Sequence, residues 1–106
     1  MSQKLKTILS ELQEQLQTLY GPRLVRLVLY GSQARGDAVP GSDIDVMVVL
    51  EGPVDAFAEI ERAGDVTASL SLQYDVVISC FYISAERFAL EQSALLTNVR
   101  HQGIIV

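Results

Sequence analysis

The chain has 106 residues, 49% hydrophobic and 20% charged, which predicts one small globular domain over 1–106 with a single core. Eight Lys and Arg against thirteen Asp and Glu leave a net charge of −5, which argues against a basic surface and against direct, stable nucleic-acid binding. One cysteine, Cys80, rules out an internal disulfide framework, no apolar stretch reaches the roughly 18 residues that span a bilayer, and the amphipathic start is no signal peptide, so a cytoplasmic protein with no membrane partner is expected.

Residues 2–20 carry Leu5, Ile8, Leu9, Leu12, Leu16 and Leu19 at spacings of three and four, the stripe of one amphipathic helix. Ser2 caps it, and Gly21-Pro22 ends it. Leu24 to Tyr30 is β-rich and predicts a first strand. Ser32 to Asp37 suits a short helical turn, and Ala38 to Ser42, with Pro40-Gly41, a loop. Asp43 to Leu50 predicts the second strand, broken by Gly52-Pro53. Val54 to about Leu70 is helical by pattern, with Gly64 as its weak point, and Tyr74 to Ile83 predicts the third strand. Ser84 caps a last helix, Ala85 to about Asn98. The apolar tail Gly103–Val106 is expected to return as a sheet edge or to dock on a partner. The order α-β-α-β-α-β-α predicts an α/β fold with a small mixed sheet flanked by helices.

The second strand opens with two acids one residue apart, Asp43 and Asp45. Alternate residues of a strand share a face, about 6.5–7 Å apart, so these carboxylates project side by side. Asp45 interrupts the apolar run Ile44, Val46, Met47, Val48, Val49, and a carboxylate there needs a partner. The link from Glu51 to about Gln73 contains a helix and suits a right-handed crossover, which makes strands two and three parallel. Asp75, at the start of the third apolar run, then joins the other two at one end of the sheet. Such an acidic end suits a hard divalent cation such as Mg²⁺, which completes its shell with water and substrate phosphates. Gly31-Ser32 supplies the complement. The glycine admits close approach to the backbone, and a helix start with a hydroxyl binds phosphate oxygens. If strands one and two are antiparallel, cradle and carboxylates face one cleft.

Gly31-Ser32, ten residues, then Asp43-Ile44-Asp45 resembles the signature of the nucleotidyltransferase superfamily that includes DNA polymerase β, and within it the minimal nucleotidyltransferases (MNT). Ala34-Arg35-Gly36, Ser42 and the tail LLTNVRHQGIIV also match the family's wording, so the resemblance covers nearly the whole chain. It implies the nucleotidyltransferase fold and transfer of a nucleoside monophosphate from a triphosphate such as ATP. It makes Asp43, Asp45 and Asp75 the ligands of two Mg²⁺ ions, with Asp75 also helping to activate the acceptor hydroxyl. Two such ions clamp the attacking and leaving oxygens of an in-line displacement. Gly31 and Ser32 would hold the β and γ phosphates, with Arg35 and Ser42 as further nucleotide-binding residues. The small size resembles the antitoxin of HEPN–MNT toxin–antitoxin pairs. The reaction implied there is AMPylation of a tyrosine on the partner HEPN ribonuclease toxin, which silences it.

Two other readings compete: the same chemistry on a small-molecule acceptor, and a non-catalytic antitoxin that neutralises its partner by binding. Elsewhere the chain reads plainly. His101 is expected at the surface, Cys80 in the core, and Tyr74 and Tyr82 are expected to pack on one strand face.

Overall fold

The computed structural model describes all 106 residues. Ser2 starts helix α1 (Gln3–Tyr20), its hydroxyl accepting the Leu5 N–H at 3.1 Å. The helix buries Leu5, Ile8, Leu9, Leu12 and Leu16 as the spacing requires, but Tyr20 rather than Leu19 closes the stripe. Leu19 is 39% exposed. Gly21-Pro22-Arg23 forms a 3-10 turn into strand β1 (Leu24–Tyr30). One helical turn, α2 (Ser32–Arg35), and a loop lead to β2 (Ile44–Leu50). Helix α3 (Ala56–Tyr74) crosses over to β3 (Ile78–Ser84), followed by α4 (Ala85–Leu90), α5 (Ala94–Gln102) and a two-residue β4 (Ile104–Ile105).

The strands lie in the order β3-β2-β1-β4. β1 runs antiparallel to β2 and to β4, while β2 and β3 are parallel. Both expected orientations therefore hold, and the apolar tail does return as an edge strand. α1 and α3 cover one face of the sheet, where Leu27, Leu29, Val46, Val48 and Tyr82 pack among the helix leucines. On the other face Val28, Met47, Val49 and Ile83 meet Leu96 and Val99 of α5. Central β2 is thus buried on both sides from Val46 to Leu50, which explains its unbroken apolar run. Asp45 is only half-buried and Asp43 is exposed, whereas Ile44 between them packs into the core on the helix side.

β2 starts at Ile44, so Asp43 lies just before the strand, the short helix ends at Arg35 before Asp37, and β3 runs on to Ser84. The larger departures lie in α3, the start of β3 and the last helix. α3 begins at Ala56 rather than Val54, because the Asp55 carboxylate accepts the Phe57 and Ala58 N–H groups. It continues to Tyr74, so β3 starts four residues later than Tyr74. The last helix is two: Ser93 caps α5 through the Leu96 N–H, and Arg100 closes the break by donating to the carbonyls of Phe88 and Glu91, both at 2.7 Å. No helix is long and apolar enough to cross a membrane.

One buried carboxylate went unread in the sequence. Glu59 of α3 is only 3% exposed and accepts from the Tyr20 hydroxyl at 3.0 Å and the Arg62 guanidinium at 2.9 Å. Arg23 stands 3.8 Å from its other oxygen. Paired in this way, the charge is tolerated inside the fold and ties α1 to α3.

Gly64, the expected weak point of α3, has open space where a Cβ would stand. Gly64→Ala is therefore expected to stabilise the protein by about 0.5–1 kcal/mol, read from urea unfolding. A destabilised variant would show that the position serves packing.

Candidate active site

β1 ends at Tyr30, and the chain turns through Gly31 with φ 74° and ψ −156°, a conformation essentially reserved for glycine. The same glycine is demanded by its neighbour. A Cβ at position 31 would lie 2.6 Å from Oδ2 of Asp45. The carboxylate of the second strand thus rests against the backbone of the turn after the first. Antiparallel pairing produces this, with Tyr30 directly opposite Asp45 in the ladder.

The Gly31 carbonyl accepts the N–H groups of Ala34 and Arg35, both at 3.1 Å. This closes the turn of α2 and leaves its first N–H groups, on Ser32 and Gln33, without acceptors inside it. Gln33 donates from its amide to the Ser42 carbonyl at 3.4 Å. Ser42 in turn takes the Val39 N–H on its hydroxyl at 3.0 Å. These bonds hold the end of the loop against the turn, one residue before Asp43. Ser42 thus helps shape the loop through its hydroxyl oxygen. Arg35 is exposed and pairs with Asp37 at 3.2 Å.

Asp43 and Asp45 feel each other. The Asp45 carboxyl is raised above the usual range, first by burial and then by the charge of Asp43. The Tyr30 phenol is raised too, by burial and then by Asp45. The structure therefore brings Gly31, Ser32, Asp43 and Asp45 together, with Tyr30 as a residue the sequence reading passed over. Two adjacent carboxylate groups, all hard oxygen donors and a cradle that a Cβ would fill, fit one Mg²⁺ with phosphate beside it.

Asp75 stands elsewhere. It is the C-cap of α3, in the left-handed region at φ 53° and ψ 53°, three residues before β3 begins. Its N–H and that of Val76 both bond to the Ser71 carbonyl, and the Ser71 hydroxyl accepts the Ile78 N–H. Asp75 is exposed and lines a cleft of about 550 Å³ with Lys4, Gln33, Ser42 and Val76. Neither Asp43 nor Asp45 lines that cleft. No three His, Cys, Asp or Glu side chains gather anywhere into a metal-holding group. The expected cluster of three carboxylates is therefore not formed, because the helix overruns the start of the predicted strand.

An aspartate in the left-handed region is strained relative to glycine. Asp75→Gly is expected to be neutral to stabilising, by up to about 1 kcal/mol, with no loss of catalysis. Urea unfolding and an activity assay on the same sample decide it. A tenfold loss of activity in a folded variant would return Asp75 to the site.

The sequence profile of the nucleotidyltransferase domain family matches residues 6–100. Among curated relatives, "Putative protein adenylyltransferase MJ0141" of Methanocaldococcus jannaschii is 32% identical over 72 residues, covering 68% of this chain and 72% of the relative. "Putative protein adenylyltransferase MJ0604" of the same organism is 38% identical over 73 residues, covering 69% of this chain and 67% of the relative. Among solved structures, a toxin–antitoxin with AMP-PNP aligns with a TM-score of 0.62 at 22% identity, over 89% of this chain and 68% of that one. A mutant of the toxin–antitoxin MntA-HpeT aligns at 0.60 and 19%, over 98% of this chain and 71% of that one. These two likenesses establish the fold.

Proposed function

The chain belongs to the nucleotidyltransferase domain family, and from that premise we propose that this nucleotidyltransferase moves AMP from ATP to a tyrosine hydroxyl of a partner HEPN ribonuclease toxin, as its antitoxin. The observation that carries the reading is the Asp45 carboxylate resting against the Gly31 backbone, which makes phosphate turn and paired acids one site. The relatives named as protein adenylyltransferases support a protein acceptor, and the structural neighbours support ATP as donor and a toxin as partner. The same reading makes the protein cytoplasmic, where ATP is supplied.

In the proposed reaction the Ser32 and Gln33 N–H groups and the Ser32 hydroxyl hold the β and γ phosphates. Asp43 and Asp45 would hold Mg²⁺, which when bound neutralises charge on the triphosphate. The acceptor oxygen then replaces pyrophosphate on the α-phosphorus while the turn keeps the leaving group in place. Catalysis here is positioning and charge neutralisation, with no covalent role for the protein. A phenol, with a pKa of about 10, is a more acidic acceptor than an alkyl hydroxyl and suits a site that offers only Asp43 and Asp45 as bases.

The test is incubation with α-labelled ATP, Mg²⁺ and the product of the neighbouring gene, with a HEPN ribonuclease toxin expected there. Label should appear on a toxin tyrosine and vanish with Asp43→Asn. Neutralisation of the toxin without label, by wild type and variant alike, would leave a binding module instead.

A further inference from the structure

The register of the sheet identifies what stands on either side of Asp45. Tyr30 lies opposite on β1 and Ser79 on β3. Paired residues share a face, here the face of Met47, Val49 and Ile83. A third carboxylate able to share a cation with Asp45 would have to stand on β3, one strand spacing away, about 4.8 Å. That position holds Ser79, which is exposed, and the next residue on its face is Phe81. Asp75 lies off the strand, at the end of α3 three residues before β3 begins, and joins no group of three acids. The residue on the other flank, Tyr30, is a half-buried phenol and not a carboxylate.

The donor set therefore fits one hard cation bridged to substrate phosphates and lacks the ligands for a second. We propose that this chain holds a single divalent cation with its nucleotide, and that Ser79 is the residue that sets that number. The inference rests on the nucleotidyltransferase reading above and corrects its expected two ions to one. A hydroxyl at position 79 carries no charge, so a second cation would find only the already shared Asp45 and water. An aspartate at the same place would supply the missing charge on the correct face.

Equilibrium dialysis with Mn²⁺ as probe, in excess non-hydrolysable ATP analogue, counts the ions retained per chain. Wild type should retain one, Ser79→Asp two, and Ser79→Asn one. Position 79 is exposed on an edge strand, and thermal melts confirm that each variant is folded. Two ions in wild type overturn the proposal, because Ser79 would then limit nothing. One ion in folded Ser79→Asp also overturns it, because the position would not be the third corner of the site. No retained ion in wild type is a different failure, one that removes the nucleotidyltransferase site itself.

Discussion

Asp45→Asn is expected to abolish nucleotidyl transfer while raising the melting temperature of the metal-free protein. Both effects come from one carboxylate. Asp45 sits at the boundary where the buried run of β2 begins, beside Asp43, and its carboxyl is raised first by burial and then by that charge. A group protonated more readily in the folded protein than in the unfolded chain subtracts from stability once it is ionised. At neutral pH the charge is present in both states and is worse placed in the folded one. The cost fades as pH falls through the raised folded value, and asparagine removes it at every pH. The melting-temperature gap between variant and wild type should therefore be largest near neutrality and narrow on acidification. Added Mg²⁺ and ATP should stabilise wild type and leave the variant unmoved, by mass action. Losing a carboxylate that would hold the charge-neutralising cation is expected to cost on the order of 10²–10³ in rate. Differential scanning fluorimetry with and without Mg²⁺, beside a label-transfer assay, reads all of this. Retained transfer in the variant would remove Asp45 from the chemistry.

What the sequence disclosed follows from what a local pattern can encode. The acids one residue apart, the Gly31-Ser32 turn and the crossover length are all short-range features, and the structure places the first two in contact. The orientation of β3 could be read because a helical link of that length reverses the chain twice. The start of β3 could not. Tyr74 to Ile83 is rich in Val, Ile and aromatic residues and reads as strand throughout. Yet Leu70 is 1% exposed against the core, and Ser71 gathers the N–H groups of Asp75, Val76 and Ile78 into the helix end. Tertiary packing outweighed β propensity there, and a left-handed aspartate marks the stop where glycine would have signalled it. The break at Ser93 was hidden for a similar reason, since apolar spacing runs on across it from Phe88 to Leu96. Ser79 was invisible for a deeper one. A serine inside an apolar strand has no meaning until pairing puts it beside Asp45. Tyr30 was likewise read as a strand residue until the antiparallel register set it against the same acid.

Gly31→Ala should be the most damaging single substitution outside the carboxylates, and a second glycine shows why. Gly31 and Gly36 flank the same helical turn, both at positive φ, 74° and 80°. Gly36 adopts the ordinary left-handed conformation with ψ 12° and has nothing within 4 Å of a built Cβ. Alanine there costs about 1–2 kcal/mol and should leave transfer intact. Gly31, at ψ −156°, lies where other residues are strained by about 1–3 kcal/mol, and its Cβ would meet the Asp45 oxygen at 2.6 Å. Either the carboxylate swings away or the turn moves, and each separates the phosphate-holding N–H groups from the acids. A displacement of about 1 Å in such a site costs on the order of 10²-fold in rate. Gly31→Ala is thus expected to lose transfer at least that far while remaining folded at 25 °C, and Gly36→Ala to lose stability with its rate unchanged. Urea unfolding paired with label transfer on both variants separates backbone strain from crowding of Asp45. Equal rates in the two variants would mean that contact between turn and carboxylate is no part of catalysis.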